Sequence, residues 1–361
     1  MHTHKLPRHA SNRGGSVPRR SPSGPGILES IGWTVGYLAA QTLVLLAFVS
    51  VVILWAAEGI PRQQNMLDAV LLELSLDSSF LLTGVSSLAT VFVVVFAVRL
   101  RLGRRVRSWL RFRRSRPRDV ILVSGAVLPL AVLSGELYRR ALITWDVLAD
   151  SFPALAEWQQ TNALAVIQGQ IPTVPYPILI VALALGPALS EEIVFRGLIG
   201  RGLLQRYGVV VAVGLTTLLF AAAHMFPPHA LATIPLGIFL HLVYLATGNL
   251  WLPIWLHFLN NALSVSLLKY TMTNDIPASP LVIVSALLYL AATLALLSWH
   301  VPRRDAVPPR TVRRKSTLPG PRPSRRSSSQ PSWLATQLGA AMVILAFTLS
   351  FVWSALASAS H

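Results

Sequence analysis

Nine stretches of apolar residues, each near the length of a membrane-spanning helix, alternate with polar segments along the chain. A helix needs about 20 apolar residues to cross the hydrocarbon core of a bilayer. The stretches lie at about 31–56, 78–98, 119–137, 176–200, 208–226, 230–247, 251–268, 279–299 and 332–358. This pattern predicts an all-α fold, a polytopic transmembrane helix bundle of about nine spans.

The composition of the 361-residue chain agrees with this interpretation. Hydrophobic residues make up 53% of the chain, charged residues make up 12%, and the mean hydropathy is +0.57. Soluble domains carry about 25% charged residues, so an ordinary soluble enzyme is excluded. The chain has no cysteine, which excludes disulfides, thiolate nucleophiles, zinc–thiolate sites and iron–sulfur clusters.

The basic side chains are concentrated in three segments. Residues 1–26 carry five of them, residues 99–118 carry ten arginines, and residues 300–332 carry nine more. Basic segments beside apolar spans lie on the cytoplasmic side of a membrane, so we expect a multi-pass protein of the cell inner (plasma) membrane with a cytoplasmic N-terminus. We also expect the basic loops to attract anionic lipids, and we expect no nucleic acid as a partner.

Composition and apolar pattern together divide the chain into five segments. We expect a basic, disordered cytoplasmic tail in residues 1–30. N-terminal transmembrane helices with the arginine-rich loop 99–118 follow in 31–175, and a helical core follows in 176–299. A basic linker rich in proline and serine occupies 300–332, and a C-terminal transmembrane helix occupies 333–361.

Polar side chains inside the predicted spans are the candidates for chemistry, because ionisable groups in a membrane are costly unless they are paired or functional. They are Glu191, Glu192 and Arg196 in one span, His224 at the end of the next, His241 in the following one, and His257 with Asn261 in a fourth. The four-residue spacing of Glu192 and Arg196 predicts an ion pair on one helix face. Glu191 is rotated by about 100° from Glu192 and faces another helix. We expect His241 to be an interhelical hydrogen-bonding residue.

Two kinds of chemistry are open to the remaining polar groups. Glu191, His224, His257 and Asn261 could bind a water molecule, deprotonate it and stabilise an oxyanion. Alternatively, Glu191, His224 and His257 could be three ligands of an open Zn²⁺ site. In either case the end of the span that carries His224 must tilt or fold back, because His224 and His257 otherwise lie at different depths.

The order and spacing of these residues resemble those of a known family. EExxxR (Glu191, Glu192, Arg196), FxxxH (Phe220, His224) and HxxxN (His257, Asn261) follow one another on separate apolar spans. The stretch TGNLWLPIWLHFLNN at 247–261 is similar to the segment that leads into the last of the family's motifs. The family is that of the CPBP (CAAX protease and bacteriocin-processing, or Abi) intramembrane endopeptidases, with type II CAAX prenyl protease-like and lysostaphin-resistance-protein-like members.

This resemblance implies a protease core in 176–299 and an intramembrane endopeptidase of the metallo- or glutamate type. Its substrate would be a membrane-associated protein or peptide. The catalytic residues that it implies are Glu191 with His224, which would activate water, and His257 with Asn261, which would stabilise the oxyanion. The supporting residues that it implies are Glu192, Arg196 and Phe220.

A different class of function stays open at this point. The alternative is a non-catalytic membrane scaffold or bacteriocin self-immunity protein with the same fold. The complete set of glutamate, histidine and asparagine side chains argues for retained catalysis.

Overall fold

The computed structural model of the protein describes residues 24–59, 76–161, 171, 174–270, 278–299 and 341–352. Within these residues all regular structure is helical, which confirms the predicted all-α class. The α-helices are α1 (Ile27–Gly59), α2 (Leu76–Leu102), α3 (Val106–Leu110), α4 (Pro117–Gly125), α5 (Val127–Ser151), α6 (Pro153–Thr161), α7 (Tyr176–Leu179), α8 (Gly186–Glu192), α9 (Arg201–Ala222), α10 (Pro227–Ala232), α11 (Ile234–Thr247), α12 (Trp251–Tyr270), α13 (Pro280–Trp299) and α14 (Ala341–Val352).

Three further helical segments of other types connect some of these α-helices. A 3-10 helix, Gly103–Arg105, lies between α2 and α3. A π-helix, Ile180–Leu185, lies between α7 and α8, and a second π-helix, Ile193–Gly200, lies between α8 and α9. The acidic pair of the EExxxR motif therefore stands at the end of a short α-helix with π-helix on both sides.

Six helical stretches of the described chain are long and apolar enough to cross a membrane, so the chain is a multi-pass membrane protein. They are Ile27–Val51, Gly84–Leu110, Pro117–Ser151, Tyr176–Ala222, Pro227–Thr247 and Pro280–Ser298. The predicted count of about nine spans is not confirmed.

Three features account for the difference between six and nine. Residues 176–222 count as one helical stretch, although Gly208 leaves helical geometry (φ 81°, ψ −178°) and divides it into two arms. The helix α12 carries His257, two asparagines and Lys269, and it is not among the six apolar stretches. The last predicted span is described only over Ala341–Val352.

The outer surface of the bundle is apolar, as contact with lipid requires. Leu28, Phe92 and Val210 expose 84%, 75% and 86% of their surface. In contrast, Glu192 and Arg196 are fully buried. The bundle therefore has apolar side chains on its outer surface and a polar cluster inside. Ionisable groups of membrane proteins usually face the interior of the bundle in this way.

The arginine-rich loop, the first described residues and the C-terminal part of α13 meet at one end of the bundle, which we call the basic end. A guanidinium nitrogen of Arg206 donates to the carbonyl of Gly24 at 2.8 Å. Arg118 donates to the carbonyl of Leu296 at 3.4 Å. The segments that lead into residues 1–23 and 300–332 therefore leave from the same end as the loop 99–118.

The ends of the chain differ in part from the predicted segments. Helix α1 begins at Ile27, within the predicted tail 1–30, and residues 1–23 of that tail and the whole linker 300–332 lie outside the described residues. The helix α14 packs on α13, where the hydroxyls of Ser285 and Ser350 lie 2.8 Å apart and the rings of Tyr289 and Phe347 are in contact.

Candidate active site

The acidic pair Glu191–Glu192 lies where the backbone leaves regular α-helical geometry. π-Helical segments are rare and occur frequently at functional sites. Pro187, near the start of α8, has no backbone N–H, so the carbonyl of Leu183 lacks the donor that an α-helix would supply four residues later. The side-chain amide of Asn261 donates to this carbonyl at 3.3 Å, which ties α12 to the irregular backbone before the acidic pair.

The predicted ion pair between Glu192 and Arg196 is confirmed, and it is part of a buried network. Arg196 donates to Glu192 Oε1 at 2.6 Å, and His257 Nδ1 lies 2.9 Å from the same oxygen. Because a carboxylate oxygen only accepts, the imidazole donates from Nδ1. Arg196 also donates to the carbonyl of Gly237 on α11 at 3.1 Å. Glu192 is thus neutralised by a cation and hydrogen-bonded to the histidine of the HxxxN motif.

Glu191 has different surroundings, although it is the next residue. Its Oε1 accepts a hydrogen bond from the hydroxyl of Tyr37 on α1 at 3.3 Å. Its Oε2 is buried, has no hydrogen-bond partner within the described residues, and lies 3.9 Å from His257 Nε2. Buried polar atoms are nearly always hydrogen-bonded. This oxygen is an exception: it faces His257 and can still accept a hydrogen bond.

The ring of Phe220 joins the two candidate histidines and the arginine. It lies 5.0 Å from the ring of His224 and 5.7 Å from the ring of His257, measured between centroids. The guanidinium carbon of Arg196 lies 4.2 Å from its centroid, a cation–π distance. The FxxxH motif therefore supplies a packing centre as well as a histidine.

His224 has a defined tautomer when its ring is neutral. Its Nδ1 lies 2.9 Å from the backbone carbonyl of Phe220. Since a carbonyl cannot donate, Nδ1 carries the proton and Nε2 keeps its lone pair. That lone pair is suited to accept a hydrogen bond from a water molecule.

Two changes of chain direction bring His224 and His257 to a common depth. Helix α9 ends at Ala222, Met225 adopts a left-handed conformation (φ 56°), and α10 begins at Pro227, so the chain bends directly after His224. Helix α12 begins beside the arginine-rich loop, where the backbone N–H of Leu250 donates to the carbonyl of Arg111 at 3.3 Å and the Leu250 side chain lies against Gly197.

The second of these features sets the height of His257. His257 lies seven residues after Leu250 and Glu192 lies five residues before Gly197. The two side chains meet, with His257 Nδ1 2.9 Å from Glu192 Oε1. The sequence predicted the bend near His224 but not the contact of Leu250 with Gly197.

Asn261 is not hydrogen-bonded to the other candidate catalytic side chains. Its described contact is the hydrogen bond to the carbonyl of Leu183. One hydrogen of its amide group is used in this contact, and the second is available for another acceptor.

His241 packs closely but does not form the expected interhelical hydrogen bond. It is 1% exposed, and neither ring nitrogen has a partner within the described chain. A Cβ atom on Gly200 would lie 2.5 Å from its Cε1 atom. The absence of a side chain at Gly200 is therefore what allows α11 to approach the second π-helix.

The predicted zinc ligands are not arranged as a metal site. Across the described residues, no group of three or more histidine, aspartate or glutamate side chains could hold a metal ion. Nδ1 of His257 donates to Glu192 and Nδ1 of His224 donates to a backbone carbonyl, so the absence of a three-ligand group rests on how the side chains are placed and not on these hydrogen bonds. The set Glu191, His224 and His257 does not fit Zn²⁺ as three ligands, and we assign no reaction step to a metal.

Tyr37 and Gln41 contribute to the site and were missed by the sequence analysis. Gln41 donates to the hydroxyl of Tyr37 at 2.8 Å, and that hydroxyl lies 3.1 Å from Ser190 Oγ. A tyrosine and a glutamine four residues apart in an apolar span are a detectable signal. Neither residue is of a charged type, so the pattern of charged groups within the spans does not reveal them.

Comparison with protein families agrees with this geometry. A family model described as type II CAAX prenyl endopeptidase Rce1-like matches residues 173–263. No curated protein and no solved structure matches the chain. The matched segment contains every predicted catalytic and supporting residue, from Glu191 to Asn261. Residues 173–263 therefore match an Rce1-like domain, and this match supports the predicted resemblance to the CAAX-protease-like family of membrane proteins.

Proposed function

We propose that the protein is an intramembrane endopeptidase that hydrolyses a peptide bond of a membrane-associated protein or peptide. The match to a CAAX-protease-like family model supports the reaction class. The observation that carries the proposal is the buried, unpaired Oε2 of Glu191, 3.9 Å from His257 Nε2. Such an oxygen is available to take a proton from a water molecule that attacks a peptide carbonyl.

His224 assists Glu191 in this proposal. Its Nε2 lone pair accepts a hydrogen bond from the attacking water and orients it, because Nδ1 is fixed on the carbonyl of Phe220. The base and the orienting group come from different helices, α8 and the bend after α9. Their relative position depends on the packing of Phe220.

His257 and Asn261 stabilise the oxyanion that forms on the attacked carbonyl. Glu192 accepts from His257 Nδ1, as a carboxylate does when it orients a catalytic imidazole. When the ring also carries a proton on Nε2, that N–H can donate to the developing negative charge. The second amide hydrogen of Asn261 is the other candidate donor, and each such donor contributes roughly 2.7–4 kcal/mol.

Variants of the two water-activating residues test the reaction. The probes are fluorogenic peptides that end in a CAAX sequence, one prenylated and one not, with the purified chain in detergent or liposomes. We expect cleavage by the natural protein and its loss in Glu191→Ala and His224→Ala at normal protein level. Cleavage retained in both variants would contradict the proposal and favour a scaffold.

Chelation separates the two forms of catalysis that the sequence left open. We expect full activity after treatment with a strong chelator, because the described side chains do not form a three-ligand metal group. Loss of activity on chelation with recovery on addition of Zn²⁺ would overturn the metal-free mechanism.

The proposal includes an inner-membrane location with a cytoplasmic basic end and nine spans. In this arrangement residues 1–30, 99–118 and 300–332 face the cytoplasm, and the acidic segments 57–77 and 139–170 face outward. Because the chain has no cysteine, single cysteines at Arg114, Ser328 and Asp150 can be labelled without background. We expect Arg114 and Ser328 to be labelled from one side and Asp150 from the other, and any other result contradicts this topology.

A further inference from the structure

A groove at the basic end combines a cationic rim with an apolar floor, and we call it the arginine groove. Its rim is formed by Arg99, Arg104 and Arg107, and its floor by Phe96, Leu100 and Val106. Its volume is about 560 Å³, within the range of about 300–1,000 Å³ that is typical of small-molecule sites.

The turn after α2 creates this groove. Gly103 has a φ of 55°, which ends α2 and directs the 3-10 helix and α3 back toward it. Arg99, at the end of α2, and Arg104 and Arg107, after the turn, therefore surround one space instead of pointing in separate directions. A side chain at Gly103 would be strained in this conformation.

The three rim arginines have no hydrogen-bond or ion-pair partner in the part of the chain that is described. Their neighbour Arg101, in contrast, binds Glu29 with a nitrogen–oxygen distance of 2.6 Å. Uncompensated guanidinium groups repel one another and bind phosphate oxygens well. The floor residues Phe96 and Leu100 expose 62% and 69% of their surface, so apolar surface continues outward from the cationic rim.

We propose that the arginine groove binds one anionic phospholipid. The phosphate would be held by the rim and the first carbons of the acyl chains by the floor. The charge of the rim requires an anion, and the apolar floor favours a lipid over free phosphate. This inference is independent of the protease assignment.

Two triple variants with equal loss of charge test this site. The first, Arg99→Gln with Arg104→Gln and Arg107→Gln, removes the rim. The control, Arg105→Gln with Arg114→Gln and Arg116→Gln, removes three arginines of the same loop that do not line the groove. Native mass spectrometry of the full chain would measure retained phosphatidylglycerol and phosphatidylcholine.

We expect the natural protein to retain phosphatidylglycerol in preference to phosphatidylcholine, and the rim variant to lose this lipid about tenfold more than the control does. Equal loss in both triple variants would show diffuse attraction and overturn the site. Displacement of the lipid by millimolar inorganic phosphate would also contradict it, because the groove would then bind a free anion.

A second, independent inference concerns Tyr37, and it rests on the proposed function. The hydroxyl of Tyr37 is buried between α1 and α8 and has three polar neighbours. Gln41 donates to it at 2.8 Å, whereas Ser190 Oγ and Glu191 Oε1 lie at 3.1 and 3.3 Å. Ser190 directs its own proton to the carbonyl of Gly186 at 2.9 Å.

The hydrogen-bond directions leave one proton for two acceptors. Gln41 donates to the Tyr37 hydroxyl and Ser190 donates to the carbonyl of Gly186, so the hydroxyl proton of Tyr37 goes either to Ser190 Oγ or to Glu191 Oε1. An ionised carboxylate is the stronger acceptor. We infer that Tyr37 is a positioning residue for Glu191, holding Oε1 so that Oε2 faces His257.

Infrared spectroscopy and kinetics together test this role. The carboxyl stretching band of Glu191 is identified by its loss in Glu191→Gln. We expect Tyr37→Phe to shift this band and to lower kcat about tenfold, with little change in KM. The matched control is Tyr176→Phe, which loses a hydroxyl contact of 2.9 Å to Ser266, and it should leave the band and kcat unchanged.

The outcomes separate this inference from the proposed function. An unchanged band in Tyr37→Phe would overturn the role of Tyr37, whatever the activity. A shifted band in Tyr37→Phe would support the contact between Tyr37 and Glu191. If Glu191→Gln then cleaved the peptide at the natural rate, the proposed reaction would be refuted while the contact stood.

Discussion

Glu191 and Glu192 are adjacent in sequence and both buried, but the structure places them in two different surroundings. Glu192 lies against α12 and α11, where Oε1 binds Arg196 and His257. Glu191 lies toward α1, where its described hydrogen bond comes from the neutral Tyr37. A buried carboxylate with a cationic partner is stabilised, but its oxygen is already bound and is less available to accept a proton. A buried carboxylate without one is costly and available for chemistry. This difference supports the proposal that Glu192 serves folding and Glu191 serves the reaction.

The largest expected effect comes from removing the charge of the reactive glutamate. Glu191→Gln keeps the shape of the side chain but removes the base, so kcat for peptide cleavage should fall by about 10⁴-fold, the upper range for such groups. Thermal stability should change little, because the glutamine oxygen can still accept the hydrogen bond from Tyr37. Parallel loss of folded protein would break the assignment.

The next effect concerns stability. Glu192→Gln leaves Arg196 buried without a counter-ion, which costs about 3–5 kcal/mol. The amount of folded protein and its melting temperature should decrease. Glu136→Gln is the matched control: Glu136 pairs with Arg139 and Arg140, whose side chains are 53% and 68% exposed, and such a pair contributes about 0–1 kcal/mol.

If Glu192→Gln folds as well as the control and only turnover is lost, Glu192 acts in the reaction. The two neighbouring carboxylates would then share one role, and the comparison would need revision.

Asn261→Ala should have a smaller effect on turnover. Loss of one oxyanion donor lowers kcat by about 10²–10³-fold, and loss of the hydrogen bond to Leu183 lowers stability by about 1 kcal/mol. Asn260→Ala, at the neighbouring position of α12, is the control. A stability change without a kinetic one would mean that Asn261 only anchors the backbone before the acidic pair.

The smallest effect should come from Gly237 on α11. A Cβ atom there would lie 3.0 Å from Thr217 Cγ2 and 3.2 Å from Phe220 Cδ1, so Gly237→Ala should displace the ring that joins the histidines. Overpacking of this kind costs about 1–3 kcal/mol. Gly214→Ala, whose Cβ would meet nothing within 4 Å, should be neutral or stabilising. Equal melting temperatures for the two variants would show that Phe220 can shift without cost.

The sequence predicted the helical class and the ion pair because both depend on local spacing. Apolar length identifies spans, and a separation of four residues places Glu192 beside Arg196 on any helix. The bend after His224 could also be predicted, since two motifs at different depths cannot meet on straight helices.

Other features depend on contacts between distant segments and could not be predicted. The bond from Tyr37 to Glu191 joins residues 154 positions apart. The π-helices arise from backbone hydrogen bonding that the apolar pattern does not encode, and the position of α12 depends on the contacts of Leu250 with Arg111 and Gly197. The predicted count of about nine spans treats every apolar stretch as a separate crossing. It is not confirmed, because residues 176–222 count as one stretch despite the break at Gly208, and α12 is not among the six apolar stretches.

The contact between Tyr37 and Glu191 has a consequence for how this protein can be divided and recombined. The matched segment, residues 173–263, contains the reactive carboxylate but not the hydroxyl that binds it. A chimera that receives only this segment would combine its Glu191 with a foreign first helix. If the proposed function holds, we expect such chimeras to be inactive unless α1 is transferred as well, so the exchangeable unit would be larger than the segment that matches the family model.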